Sequence, residues 1–153
     1  MPIYSIEIIE FYPEKLNTLD IQLEPDEEIS DSLLSTIDIK IQSVSFRYRS
    51  GIGSNFALNT PLKITCSSEG LERLNLKALM FMGVVDGIDD KIFAKCSNLE
   101  YLWLGASLEP VLDSAPNLIN IPLKKLRLNG YGVVQPGKDL EKIMKNIEFE
   151  MYI

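Results

Sequence analysis

The chain has no histidine, two cysteines, one tryptophan and no apolar stretch approaching the roughly 20 residues that cross a bilayer. Without histidine there is no His-based triad, no His metal site and no side chain of the commonest acid–base type near neutral pH. Cys66 and Cys96 are too few for a disulfide framework and lack metal-ligand spacing. Both stand beside apolar or small residues, as buried reduced thiols do. The start, Met1 to Glu7, has no basic n-region, and Glu7 and Glu10 break its apolar run, so no signal peptide is expected. A cytoplasmic, soluble protein is the simplest expectation.

Catalytic groups are scarce as well. A nucleophile without histidine needs another base, yet Ser54, Ser107 and Ser114 are followed at three by Ala57, Pro110 and Asn117, never by Lys. Asp26 with Glu27 and Glu28, and Asp89 with Asp90, are the available carboxylate groupings. A small enzyme or ligand-binding protein built on paired carboxylates is therefore the rival reading. A loop or a helix start explains each grouping equally well. The expectation is a protein that is not an enzyme and takes no cofactor or metal.

Positive charge is also in short supply: 22 acidic side chains face 15 basic ones, a formal net charge of −7. Nucleic acid and anionic membrane both demand clustered Lys and Arg, so neither is an expected partner. The acidity belongs to the first sixty residues and peaks at Glu24-Pro25-Asp26-Glu27-Glu28, with Asp31 just after. That run reads as a solvated loop before a short helix, or as a patch for a basic partner.

What the chain does have is aliphatic mass: 21 Leu and 18 Ile in 153 residues, enough for one domain. Residues 1–66 read as β-rich. Tyr4, Ile6 and Ile8 alternate with polar residues, as do Leu19, Ile21 and Leu23. A short helix is expected over 30–35. Ile37, Ile39 and Ile41 predict a strand that slips register near Gln42-Ser43 and continues through Val44, Phe46 and Tyr48. Ser50 to Asn55 reads as a turn returning the chain into a hairpin partner over 56–64.

Residues 69–153 follow a different pattern, Leu-x-x-Leu-x-Leu, at Leu71-Leu74-Leu76, Leu99-Leu102-Leu104 and Leu123-Leu126-Leu128, with a weaker copy at Met144-Ile147-Phe149. Helical segments are expected between the copies, over 87–96 and 139–145, with a short turn over 107–113. The spacing of the copies lies within the ~20–29 residues of a repeat in which a short strand buries its leucines on the next copy. The run Phe93 to Leu104, echoed by Asp113 to Leu118, resembles the cysteine-containing subclass of the leucine-rich repeat family. Leu79, Ser107 and Tyr131 stand where that family usually places Asn or Cys, so no side-chain ladder is implied. The resemblance implies an α/β fold: a solenoid with a curved, mostly parallel sheet and a β-rich N-terminal cap containing a hairpin.

Such a solenoid would turn three rows of side chains outward. Arg73, Tyr101, Lys125 and Asn146 form the first row; Asn75, Trp103, Arg127 and Glu148 the second; Lys77, Gly105, Asn129 and Glu150 the third. Trp, Tyr and Arg are enriched at interface hot spots. Arg73, Asn75, Tyr101, Trp103, Lys125 and Arg127 are thus the candidate partner-binding residues. The expected function is recognition of another protein, in a narrower form as an inhibitor or immunity-type protein. Two further readings of Trp103 stay open: packing under Arg127 as a cation–π pair, or burial beneath N-terminal strands.

Overall fold

The computed structural model describes residues 2–9, 11, 15–85, 89–107, 116–130 and 138–152. Among these, seven strands form one sheet: β1 (Ile3–Ile8), β2 (Asn17–Leu23), β3 (Ser43–Tyr48), β4 (Ala78–Phe81), β5 (Tyr101–Ser107), β6 (Lys125–Gly130) and β7 (Glu148–Tyr152). Spatial order equals chain order. β1 pairs antiparallel with β2, and every later pair is parallel. Parallel neighbours need a crossover between them. The described crossovers carry α1 (Asp31–Leu34), α2 (Ser54–Asn59), α3 (Ser68–Leu74), α4 (Lys138–Asn146) and 3₁₀ turns at Asp90–Phe93 and Pro116–Leu118. The fold is mixed α/β with a mostly parallel sheet.

Strand alternation sends one set of apolar side chains toward the helices. Val44 and Phe46, Leu79 and Phe81, Leu102 and Leu104, and Leu126 and Leu128 are all buried there against Leu34, Leu71, Leu74, Phe93, Leu118 and Ile143. Phe46 and Phe81 stack at 5.6 Å between ring centres. Leu79, Leu102, Leu126 and Phe149 share one register row, at spacings of 23, 24 and 23 residues. A second, smaller cluster of Phe11, Ala78, Met80 and Tyr101 lies on the opposite face.

Several expectations need correction. The first leucine copy is out of phase: Leu71 and Leu74 belong to α3, where an i, i+3 pair mimics Leu-x-x-Leu, and the strand is Ala78–Phe81. The last copy is shifted by two, with Phe149 where Ile147 was expected. Residues 37–41 form no strand. Asp38 accepts a hydrogen bond from the Lys40 amide at 2.9 Å, a local turn that competes with extended backbone. The slip read as a bulge at Gln42-Ser43 is simply the start of β3. The hairpin over 43–64 is also absent. Gly51, at φ +97, makes the expected turn, but the chain then enters α2, because β2 and β4 already flank β3 and leave it no free edge. The antiparallel pair is β1 with β2 instead.

The helix ends follow capping chemistry. Ser30 and Ser67 accept from the Leu33 and Gly70 amides, opening α1 and α3. Asn75 closes α3 in the left-handed region, a conformation Asn tolerates better than most residues. Asp89 caps the 3₁₀ turn within the helix expected over 87–96. The turn expected over 107–113 lies outside the described residues beyond Ser107. No described helix is long and apolar enough to cross a membrane.

Candidate interaction site on the strand face

On the face away from the helices, register rows run across the sheet. One row joins Ser43, Ala78, Tyr101, Lys125 and Glu148; the next joins Asp20, Ser45, Met80, Trp103, Arg127 and Glu150. Tyr101, Trp103, Lys125 and Arg127 are therefore brought together as expected. Arg73 and Asn75 are not. Arg73 sits in the last turn of α3 and donates to the carbonyls of Leu34 and Ile37, closing the end of α1. Asn75 caps α3 and accepts from the Asn98 amide group at 2.6 Å. Ala78 and Met80 take the places those two were given. Lys77 precedes β4 and pairs with Glu100, while the Asn129 and Glu150 side chains lie outside the described residues. Glu148 belongs to the row of Tyr101, not that of Trp103.

The residue that organises this face, Phe11, escaped the sequence reading. It lies in the connection between β1 and β2 and is only 2% exposed. Its ring sits 5.4 Å from the Trp103 ring. The Arg127 guanidinium lies over both, 4.8 Å from the Phe11 centre and 4.5 Å from the Trp103 centre. The Lys125 ammonium is 5.0 Å from Phe11 and 3.6 Å from a Glu148 carboxylate oxygen. Tyr101 and Lys125 are buried, whereas Trp103 and Arg127 keep part of their surface in solvent. Trp103 Nε1 is buried and has no hydrogen-bond partner among the described residues. The signal in the sequence is an aromatic pair, Phe11-Tyr12, between Glu10 and Pro13, which reads as a loop until the tertiary contacts of Phe11 are known.

Nearer β1 the same face is polar and tightly satisfied. Asp20 is 1% exposed and accepts from Arg47 Nη2 at 2.7 Å, Arg47 Nε at 3.1 Å, Ser45 at 3.0 Å and Gln22 at 3.0 Å. Four donors satisfy a carboxylate that would otherwise be costly to bury. At the entrance to β5, Glu100 lies between Lys124 at 3.0 Å and Lys77 at 3.4 Å. Burial opposes its ionisation, yet those two ammonium groups outweigh burial and hold its carboxyl below the usual value.

Three of the five carboxylates considered for catalysis serve the backbone. Glu27 accepts from the Glu24 amide at 2.8 Å, Asp89 from Lys91 at 2.9 Å and Asp90 from Asn117 at 3.1 Å. No cluster of three metal-ligating side chains occurs among the described residues. Cys66 and Cys96 are both buried and unbridged. Burial first, then the Asp31 charge, pushes the Cys66 thiol up to about 11. Burial first, then Cys66 and Glu72, pushes Cys96 to about 12. Both stay protonated near neutral pH and are poor nucleophiles. Comparison with family models, curated proteins and solved structures gave no match.

Proposed function

We propose that this protein is a non-enzymatic recognition module that binds another protein through the strand face at Trp103 and Arg127. The observation that carries the reading is the aromatic–cationic cluster itself. A partly exposed Trp and a partly exposed Arg stack on the helix-free side of the sheet, with Tyr101 and Lys125 buried in the neighbouring register row. Such groups supply large contact area and charge at little conformational cost. A leucine-rich-repeat-like solenoid is the architecture that best accounts for the 23–24 residue spacing and the sequential parallel strands. In that architecture β1 and β2 act as the N-terminal cap.

In a narrower form the protein is an inhibitor of the immunity type. The acidic segment Glu24 to Asp31, with Asp26, Glu28 and Asp31 exposed, would steer a basic partner toward it. The carboxylate-enzyme reading has less support, because Glu27, Asp89 and Asp90 are already engaged by backbone amides.

The test is affinity capture with the full chain and its Arg127→Ala variant, followed by cross-linking mass spectrometry from position 127. A specific protein retained by the native chain, cross-linked to 127 and lost with Arg127→Ala, is the expected result. Equal capture by both chains, or cross-links confined to other surfaces, would refute a strand-face site.

A further inference from the structure

We infer that β1 is a homodimer edge: two copies pair antiparallel along it, about a two-fold axis at Ile6. Among the described strands β1 pairs with β2 alone, so its outer row of amides and carbonyls faces outward. Tyr4, Ile6 and Ile8 are 44%, 56% and 60% exposed. They lie on the helix side of the sheet, where Tyr4 pairs with Ile21 and Ile6 with Leu19 of the core face. The Tyr4 hydroxyl reaches Thr36 Oγ1, just after α1, at 3.4 Å, while Ile6 and Ile8 stay more than half exposed.

Natural edge strands are blunted by proline, lysine, bulges or inward charge. Residues 3–8 contain neither Pro nor Lys, and the ladder to β2 is unbroken from Ile3 to Ile8. The single charge, Glu7, points to the opposite face and lies 3.4 Å from Arg47. A strand left this flat and apolar is a template for another strand.

Self-complementarity identifies the second strand as another copy. A two-fold axis normal to the sheet keeps each face on its own side, so an antiparallel pair opposes residues of equal parity. With Ile6 opposite Ile6, Tyr4 meets Ile8, and Glu7 meets Ser5. Every apolar position faces an apolar one, and no like charges oppose. The opposite edge, β7, begins with the exposed Glu148. Pairing β1 with β7 would be head-to-tail and build an open filament, not a closed pair. The β1 edge lies four strand spacings from Trp103, about 19 Å across the sheet, so the dimer leaves the strand-face site accessible.

Sedimentation velocity on the full chain from 1 to 100 µM tests this, with three variants. The native chain should reach dimer mass, and Ile6→Lys should stay monomeric with the melting temperature the native chain shows when diluted to monomer. Under oxidation Ile6→Cys should form a covalent dimer, whereas Ile8→Cys, far from its own copy in this register, should not. A native monomer at 100 µM, mass growing beyond the dimer, or a dimer that survives Ile6→Lys would overturn the inference. So would equal cross-linking of the two cysteine variants. That pair alone decides the matter should Ile6→Lys fail to fold.

Discussion

Phe11 holds the strand face in its observed state through one ring. It contacts Trp103, carries the Arg127 and Lys125 cations, and joins a cluster with Met80 and Tyr101 that is separate from the main core. Cutting it back removes a nearly fully buried ring and two cation–π contacts while leaving every strand intact. Phe11→Ala is expected to cost about 3 kcal/mol in urea unfolding, as buried Phe truncations do. The variant should also shift the emission of Trp103, the sole tryptophan, to longer wavelength as its ring becomes wetter. Emission unchanged from the native chain would mean that Phe11 does not cover Trp103 in solution.

The elements differ in how plainly the sequence announced them. β2, β3, β5, β6 and α4 were legible, because alternation or helical periodicity matched the face each one buries. β4 was not: all four residues of Ala78–Phe81 are buried, so it has no alternation to detect, while Leu71 and Leu74 of α3 supplied a false copy of the motif. Residues 56–59 look like a strand in sequence because a turn between apolar runs is the same before a hairpin and before a crossover helix. Of the site, Tyr101, Trp103, Lys125 and Arg127 were legible from strand parity, but Phe11 depends on a long-range contact that no local pattern encodes. Gly105 ties two elements together. A Cβ there would lie 1.9 Å from the Gly83 carbonyl oxygen and 2.7 Å from that of Phe81, in backbone that cannot yield as a side chain would. Gly105→Ala should therefore part the ends of β4 and β5 and destabilise the protein by about 3 kcal/mol, the upper end for overpacking. Gly53, where nothing lies within 4 Å, provides the control: thermal unfolding of Gly53→Ala should match the native chain.

At the scale of the whole molecule, the absent histidine becomes a statement about pH. No side chain has an unperturbed pKa between 5 and 8, so stability should be nearly flat across that window. Loss is expected on both sides. The Lys95 hydrogen bond, with backbone and Ser68 bonds and the Lys95 charge, lowers the Glu69 carboxyl to about 2, and Glu100 is lowered as well. A lowered carboxyl contributes stability above its unfolded value, near 4.3, and that stability is lost as pH falls through the folded value. The acid limb should thus run from about pH 4.5 toward 2. Glu69 and Lys95 are exposed, so added salt should shrink this limb. In alkali the buried thiols act in the reverse sense. Their raised values mean that the unfolded chain ionises first, from about pH 8.5, so stability falls as pH climbs toward 11 and 12. Lys95 and Lys124, raised chiefly by hydrogen bonds to Glu69 and Glu100, add to the same loss above pH 10.5. Melting temperature measured from pH 2 to 11 should trace a plateau with two shoulders. In a Cys66→Ala, Cys96→Ala chain the alkaline shoulder alone should move upward in pH. A midpoint step between pH 6 and 7 in the native chain would contradict this charge assignment.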